Sequence, residues 1–264
     1  MIILGVDTET TGITEEGEGE EGESEIVEAG FTLYDTEREL VLATFGMIYK
    51  TERESAPGAF DVHKIPREVS LYMPTYQECL NPYEVIRADL ADYMVAHNAP
   101  HDHPKVVKAW PDFLKMKWLC TQRDVDHEAV LPRKVFSRRL GHLCVDYGIN
   151  LAGWHRAVAD AEACTRIAGK HDLDAAYAYK IKPKFRLICE GPFLKNVDAK
   201  AELSQAPSVL NGGKTYRWNV EGYPKCWSKE GLLKEEVIGD ADCIKKFSGG
   251  RWQFNLEKMD PPVY

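Results

Sequence analysis

Four acidic residues and one histidine lie in three short segments that are widely separated in the sequence. They are Asp7, Glu9, Asp102, His155 and Asp160. Carboxylate oxygens are the ligands that Mg²⁺ and other hard cations prefer. An imidazole has an ordinary pKa of about 6.5, so it is able to take a proton from water at neutral pH. The set therefore has the residue types needed for metal-assisted hydrolysis.

The first acidic pair follows a predicted strand. Residues 2–6 form a short apolar run of the kind found in a buried strand. Side chains two residues apart on an extended chain point to the same face of a sheet. We therefore expect Asp7 and Glu9 to share one site.

Two further strands are predicted next. Residues 27–34 alternate between apolar and other side chains, which is the pattern of a half-buried strand, and residues 40–49 alternate again. Residues 35–38 between them predict a turn. Three strands joined in this way predict an antiparallel meander.

Helices and strands alternate after the meander. Asn81 and Pro82 predict the start of a helix in which residues 83, 86 and 90 keep helical spacing. Residues 93–96 predict a short strand. Asp102 is followed by His103 and Pro104, and because proline suits a first helical turn, we expect Asp102 just before a helix.

Two more helices are predicted downstream, and the second one carries an acid. Apolar residues recur at helical spacing over residues 140–147, with Gly148 as a stop. Asp160 falls early in a helix predicted over residues 157–168, with His155 in the preceding loop. The whole order predicts an α/β mixed sheet with flanking helices.

Each acidic segment alone is common by chance, but their joint order is specific. In that order they resemble the DEDDh family of 3′→5′ exonucleases, the DnaQ-like group that includes the proofreading subunit of bacterial DNA polymerase III, exodeoxyribonuclease X and ribonuclease T. The resemblance covers roughly residues 1–175 and extends to residues 57–65 and 118–121. It implies an RNase H-like exonuclease domain over residues 1–180 and leaves residues 181–264 as a small α+β accessory module.

The resemblance also implies roles for individual residues. Two Mg²⁺ or Mn²⁺ ions would be held by the four acids, with His155 as general base. The 3′-terminal nucleotide would contact Thr8, Thr10, Val62, His63 and Asn98, and the alternative role of Asn98 is to brace its loop. From the residues alone, Val62 equally fits core packing, and His63 equally fits a helix cap or a surface position.

The implied reaction removes nucleoside 5′-monophosphates from the 3′ end of single-stranded or frayed DNA. One alternative is an RNA-directed exoribonuclease of the ribonuclease T or oligoribonuclease kind, because no motif reads the 2′-hydroxyl unambiguously. Another is a non-catalytic nucleic-acid-binding scaffold that retained the fold.

Two positions depart from the family pattern. His101 stands where the family usually has Phe or Tyr, and Lys64 stands where glycine is common. The His101 ring is expected either to pack in place of that aromatic ring or, if protonated, to lower the pKa of Asp102. His97, His101 and His103 lack a nearby cysteine and do not predict a zinc site.

Composition limits the kind of protein. The chain has 264 residues, 44% hydrophobic and 28% charged, which is typical of globular proteins. It has no apolar run of about 18 residues that predicts a membrane span and no signal-peptide pattern at its start. Its seven cysteines lack paired spacing and predict free thiols in a reducing compartment. We therefore expect a cytoplasmic protein that does not contact a membrane.

Charge is distributed unevenly along the chain. The formal net charge is −9, yet residues 105–186 are locally basic. Glutamate and glycine alternate over residues 12–24, which predicts a flexible, solvated loop. The alternative for this loop is that its acids compete with DNA or gather cations beside the site.

The C-terminal module has its own pattern. A hairpin is predicted over residues 215–229 and a helix over residues 232–244. Aromatic and basic side chains interleave here, and they fit either the core of a small domain or a platform on which single-stranded bases stack. They are Tyr216, Arg217, Trp218, Lys225, Trp227, Arg251 and Trp252. Docking to a polymerase or another replication protein is a third role.

Overall fold

The computed structural model describes residues 1–12, 24–150, 153–190, 219–221, 226–235, 237–239, 241–242, 253–260 and 264. The glutamate- and glycine-rich loop predicted between the first two strands lies almost entirely outside the described residues. The chain divides into two compact units, residues 1–178 with Tyr264 and residues 179–263. Within the described part, none of the helices has both the length and the apolar character needed to cross a bilayer.

Strands and helices are interspersed along the first 180 residues. The strands are β1 (Ile2–Thr10), β2 (Ile26–Asp35), β3 (Leu40–Ile48), β4 (Tyr93–Ala96) and β5 (Trp118–Cys120). The helices are α1 (Pro57–His63), α2 (Arg67–Leu71), α3 (Pro82–Val85), α4 (Ala99–Ala109), α5 (His127–Val130), α6 (Leu140–Tyr147), α7 (Ala157–Ala168) and α8 (Leu173–Lys180).

The five strands form one mixed sheet in the order β3-β2-β1-β4-β5. β1 pairs with β2, and β2 with β3, in antiparallel fashion, whereas β4 is parallel to both β1 and β5. The predicted meander and the α/β class are confirmed. β1 is the central strand, so residues at its end are reached from elements on both sides.

β1 and β2 differ from their predicted form. β1 continues past residue 6 to Thr10, because its pairing with β2 extends to Ile26. β2 was expected to be half-buried, but all ten of its residues are buried. α7 packs on β2. Phe31 of β2 contacts the rings of Trp110 and Phe113 at centroid distances of 5.7 and 5.3 Å. Both faces of β2 are therefore covered.

The start of α7 lies directly on the sheet. A methyl group on Gly30 would overlap the backbone of Ala157 and Val158, so only glycine permits this approach. Gly30 is also the β2 partner of Asp7. The close contact thus sets where the first turn of α7 lies relative to the first acidic pair.

The helix predicted after Asn81 is interrupted. Asn81 accepts a hydrogen bond from the Tyr83 backbone N–H at 3.1 Å, which confirms the N-cap. α3 ends at Val85, however, and Arg87 adopts a left-handed backbone with φ of 57° before a 3₁₀ turn at Ala88–Leu90. The single-helix prediction was wrong because helical spacing does not reveal a left-handed residue.

The start of α4 is also earlier than predicted. The helix begins at Ala99, so Asp102 lies in its first turn and Pro104 lies inside the helix. Asp102 therefore projects from the helix itself, not from the loop before it. The predictions for β4, α6 and α7 are confirmed, and α6 ends at Gly148, which has a φ of 66°.

The second unit contains a separate sheet. Its strands are β6 (Lys184–Glu190), β7 (Asn219–Glu221), β8 (Cys226–Leu232) and β9 (Gln253–Met259), in the order β7-β8-β6-β9 with antiparallel pairing throughout. β7 and β8 form the predicted hairpin, although its turn, residues 222–225, lies outside the described residues. So do the side chains of the seven interleaved aromatic and basic residues, whose two interpretations remain predictions.

We expect Gly30→Ala to lower the free energy of unfolding by about 1–3 kcal/mol or more, because the added methyl group must displace the start of α7. Gly58→Ala is the matched control, since no atom lies within 4 Å of a methyl group placed there. Urea unfolding of both variants measures the difference. Equal stability of the two variants would show that α7 is not constrained by this contact.

Candidate active site

The four acids predicted as metal ligands come together at the end of β1. Asp7 and Glu9 are on β1, Asp102 is in the first turn of α4, and Asp160 is in the first turn of α7. Burial raises the pKa of Asp7 well above its usual range, and the charges of Asp102 and Asp160 raise it further, followed by that of Glu9. A group feels three neighbours in this way only when all of them are close.

The other three acids also hold protons more tightly than isolated carboxylates. Burial raises the pKa of Glu9 to about 8, with Asp160 and Glu28 adding to the effect. Burial raises the pKa of Asp102 to about 7 and that of Asp160 to about 6. The site therefore favours either protons or a bound cation over a set of bare negative charges.

Asp102 is held by the residue between the first two acids. The Thr8 backbone N–H and hydroxyl both donate to Asp102 Oδ1, at 3.0 and 2.7 Å. The Thr10 hydroxyl donates to the Gly12 carbonyl at 3.0 Å, and both threonines are buried. The Thr8 side chain thus fixes a carboxylate, and its predicted contact with the nucleotide stays a prediction.

His155 lies within reach of two of the acids. Glu9, His155 and Asp160 each offer one atom that could bind a metal ion, and these three atoms lie within 4.8 Å of one another. His155 is exposed and has a left-handed backbone with φ of 58°, immediately before the helix that carries Asp160. Asp160 Oδ1 is buried without a hydrogen-bond partner in the described structure. Such an oxygen, among other hard donors, fits a divalent cation.

His63 has an internal role that its predicted contact with substrate did not include. It is buried, and the Ile65 N–H donates to its Nδ1 at 2.9 Å. Nδ1 is therefore the acceptor, so Nε2–H donates to Ser55 Oγ at 3.2 Å. Burial lowers the His63 pKa. The ring braces the end of α1, and the surface interpretation was wrong.

The remaining predicted substrate residues are more accessible. Val62, on α1, is 42% exposed, so it is not the plain core residue that was the alternative. Asn98 is partly buried, has a φ of 67° and begins α4. Its Oδ1 accepts a hydrogen bond from Arg123 Nη2 at 3.2 Å. α1, which carries Val62, contacts β1, and Asn98 begins α4, the helix that carries Asp102.

The two departures from the family pattern have structural explanations. Lys64 ends α1 in a left-handed conformation with φ of 54°, the geometry that favours the glycine common at this position. Burial lowers the pKa of His101 to about 4, and Lys105 contributes to this shift. His101 is therefore neutral at neutral pH, which favours packing over an electrostatic effect on Asp102.

Two residues at the site were missed from the sequence. Glu28, buried on β2 directly opposite Glu9, accepts hydrogen bonds from Arg156 Nη2 at 2.7 Å and Nε at 3.0 Å. Its Oε2 also accepts from the Ala157 N–H at 3.1 Å. The pair ties the start of α7 to β2. The signal was an acid in the middle of a strand whose other residues are mostly apolar or small.

A hydrolytic site of the type that works with divalent cations is defined by these convergent carboxylates and the adjacent imidazole. The model of the exonuclease family RNase_T matches residues 4–168, and the chain belongs to this family. The order of its acids and histidine makes it a member of the DEDDh group of 3′→5′ exonucleases.

Relatives and solved structures agree with this assignment. The chain is 26% identical over 172 residues to DNA polymerase III subunit epsilon of Treponema pallidum (strain Nichols), covering 61% of this chain and 72% of the relative. Its fold is similar to that of E. coli Exonuclease I in complex with a dT13 oligonucleotide, with a TM-score of 0.54 and 14% identity over 95% of this chain and 71% of that one.

The fold is also similar to that of a 3′-exonuclease whose solved structure concerns 3′-end specific recognition of a histone mRNA stem-loop. It has a TM-score of 0.50 and 17% identity, covering 64% of this chain and 62% of that one. At these identities the structural similarities establish the fold, which is the predicted RNase H-like mixed sheet.

We expect Glu28→Gln to lower the free energy of unfolding by about 1–3 kcal/mol, because Arg156 loses its charged partner while Glu28 is almost fully buried. Turnover of substrate should fall more than the Michaelis constant changes, since the start of α7 carries His155 and Asp160. Glu39→Gln is the control: its pair with Lys170 is exposed, so an effect below about 1 kcal/mol is expected. Similar losses in both variants would rule out a special role for Glu28.

In the presence of a chelator, we expect the melting temperature to fall as the pH rises from about 6.5 to 8.5. Folded Glu9 and Asp102, with pKa values of about 8 and 7, still hold protons there that the unfolded chain has released, so folding loses this advantage as they ionise. Added Mg²⁺ or Mn²⁺ competes with those protons, and its stabilising effect should be larger at the higher pH.

Glu9→Gln is the control for this measurement, because it removes a titrating group and should make the decline in melting temperature shallower. A melting temperature that rises over this pH range in chelator, for the wild type, would contradict the raised pKa values.

Proposed function

We propose that this protein removes nucleotides from the 3′ end of single-stranded or frayed DNA and releases nucleoside 5′-monophosphates. The observation that carries the proposal is the convergence of Asp7, Glu9, Asp102 and Asp160 beside His155 in a member of an exonuclease family. We assign the four acids as metal ligands and His155 as the general base.

The donor set fits two Mg²⁺ or Mn²⁺ ions. All four side chains offer hard oxygen atoms, and burial raises the pKa of each. Neighbouring carboxylates raise the pKa of Asp7 and of Glu9 further, and Asp160 Oδ1 lacks a described partner. When bound, the ions would neutralise charge on the phosphoryl group and make the attacking water more acidic.

His155 performs the proton transfer in this proposal. Its ring accepts a proton from water as the water oxygen bonds to phosphorus, and the bond between phosphorus and the 3′-oxygen of the preceding nucleotide breaks. That oxygen leaves with a proton from solvent. Because His155 is exposed, it returns its own proton to solvent. Thr8 keeps Asp102 in place throughout, and the Glu28–Arg156 pair keeps the start of α7 in place.

We propose Val62 and Asn98 as the residues that contact the terminal nucleotide. Val62 presents an exposed apolar surface on α1, which contacts β1, and Asn98 begins the helix that carries Asp102. Thr10 is next to Glu9, and we propose that its backbone also contacts the terminal nucleotide. Thr8 and His63 act indirectly, by fixing Asp102 and the end of α1.

DNA is the favoured substrate because the relative from Treponema pallidum is named as a subunit of a DNA polymerase. The RNA alternative is supported by the fold similarity to a 3′-exonuclease described with histone mRNA stem-loop. Degradation of matched DNA and RNA oligonucleotides distinguishes the two, and faster loss of the RNA would overturn the preference for DNA.

We also propose that residues 1–180 form the exonuclease domain and residues 181–264 an accessory module that contacts a polymerase or another replication protein. The name of the epsilon relative supports such a partner. Loss of the fold of residues 1–180 on truncation after Lys180 would contradict this division.

We expect Asp7→Asn to lower the rate of degradation of a 5′-labelled single strand with Mg²⁺ by at least about 100-fold. The same variant should melt at an equal or higher temperature in chelator, because a neutral side chain removes repulsion from the cluster. His155→Ala should lower kcat by about 10²–10⁴-fold.

Asp89→Asn is the control for both variants, since Asp89 is exposed in the turn before β4, at the opposite end of the parallel strands. A 5′-labelled strand should shorten progressively, whereas a 3′-terminal label should be released at once. If Asp7→Asn degrades the strand at the wild-type rate, the proposed enzyme activity is rejected, and the non-catalytic nucleic-acid-binding scaffold is the remaining interpretation.

A further inference from the structure

A basic segment of the chain lies outside the catalytic cluster. It consists of residues 131–139, which join α5 to α6 and include four basic and no acidic side chains, together with one aromatic ring. These side chains are Arg133, Lys134, Phe136, Arg138 and Arg139. The catalytic chemistry described above uses none of them.

The C-terminal end of the basic segment is attached beside the start of α4. Arg138 Nη1 donates to the Gln122 carbonyl at 3.1 Å, and Gln122 Nε2 donates to the Arg138 carbonyl at 3.4 Å. The next residue, Arg123, donates to Asn98 Oδ1 at 3.2 Å. The segment is thus linked by hydrogen bonds to the residue that begins the helix of Asp102.

The same end of the segment also leads towards the start of α7. It continues into α6, where Gly141 has no room for a side chain because the Trp154 indole lies against it. Trp154 directly precedes His155, and the centroids of their rings are 6.0 Å apart. The basic segment therefore lies next to both elements that flank the acidic cluster.

Two of its charges are available to a ligand. Arg133 pairs with Asp146 at 2.6 Å and Arg138 binds a backbone carbonyl, so these two side chains have structural partners. Lys134 and Arg139 are exposed, and neither forms an ion pair with any residue that the structure describes. Their positive charge is directed to solvent close to an acidic centre that repels a polyanion.

Phe136 is 92% exposed, and its described ring contact is with His142 at 5.9 Å. A single exposed apolar residue is ordinary. An exposed ring between two exposed cations, beside a nuclease centre, is a different arrangement. Bases of single strands stack on aromatic rings while Lys and Arg follow the phosphates.

We propose that residues 131–139 bind the nucleic-acid strand on the 5′ side of the scissile bond, with Lys134 and Arg139 contacting phosphates and Phe136 stacking on a base. The inference rests on the proposed function and adds to it a surface for the part of the substrate that is not cleaved. It also explains how a chain of net charge −9 holds a polyanion.

The first test measures binding of a short 5′-fluorescent single strand in chelator over a range of salt concentrations. For Lys134→Ala/Arg139→Ala we expect the slope of log affinity against log salt to fall by about 1.4, from two lost phosphate contacts on a single strand. Phe136→Ala should weaken binding by about fivefold or more, and Phe136→Trp should restore it.

Lys115→Ala/Lys170→Ala is the matched control, because it removes the same charge from exposed positions at the opposite end of the sheet. We expect its salt slope to equal that of the wild type. An equal fall in slope for both double variants would overturn the proposal, since the effect would then come from net charge.

The second test uses the p-nitrophenyl ester of thymidine 5′-monophosphate, which occupies the cleavage centre without any upstream strand. The three segment variants should hydrolyse it as the wild type does. Unchanged oligonucleotide affinity and slope with normal ester hydrolysis would overturn this inference alone and point to a protein partner for the segment. Loss of ester hydrolysis in the double variant would also overturn it. A wild type that cleaves neither substrate would instead refute the proposed function.

Discussion

Four carboxylates confined at the end of one central strand repel one another, and much of the surrounding structure serves to keep them there. Burial and mutual charge raise the pKa of Asp7 well above its usual range and that of Glu9 to about 8. A site of this kind costs stability when it holds no protons or cations. The fold offsets that cost with contacts that involve backbone: the Thr8 N–H on Asp102, and the close approach of α7 to Gly30.

The Glu28–Arg156 pair likewise helps to hold His155, the proposed general base, in place. It fixes the first turn of α7, and that turn places Asp160 and the preceding His155 beside Glu9. Acids from three elements and a base from a loop thus depend on a small number of long-range contacts. We infer that protons occupy the acids until cations replace them, and that the basic segment attracts the strand that the acids alone would repel.

The sequence was sufficient for those features that depend on local periodicity. Alternation on an extended chain placed Asp7 and Glu9 on one face, and helical spacing with Gly148 as a stop located α6. The features it could not predict arise from pairs distant in the chain, such as Thr8 with Asp102 and Glu28 with Arg156. The left-handed Arg87 was hidden for a different reason, because arginine has no local preference that indicates a positive φ.

The clustered acids should retain protons near neutral pH and exchange them for divalent cations. The proposed chemistry depends on this exchange. Calorimetric titration of Mn²⁺ at about pH 7, in two buffers of different ionisation enthalpy, measures the protons released per protein. We expect release of at least about one proton per protein on saturation, and a smaller release for Glu9→Gln. Mn²⁺ binding with no proton release in either buffer would contradict the exchange.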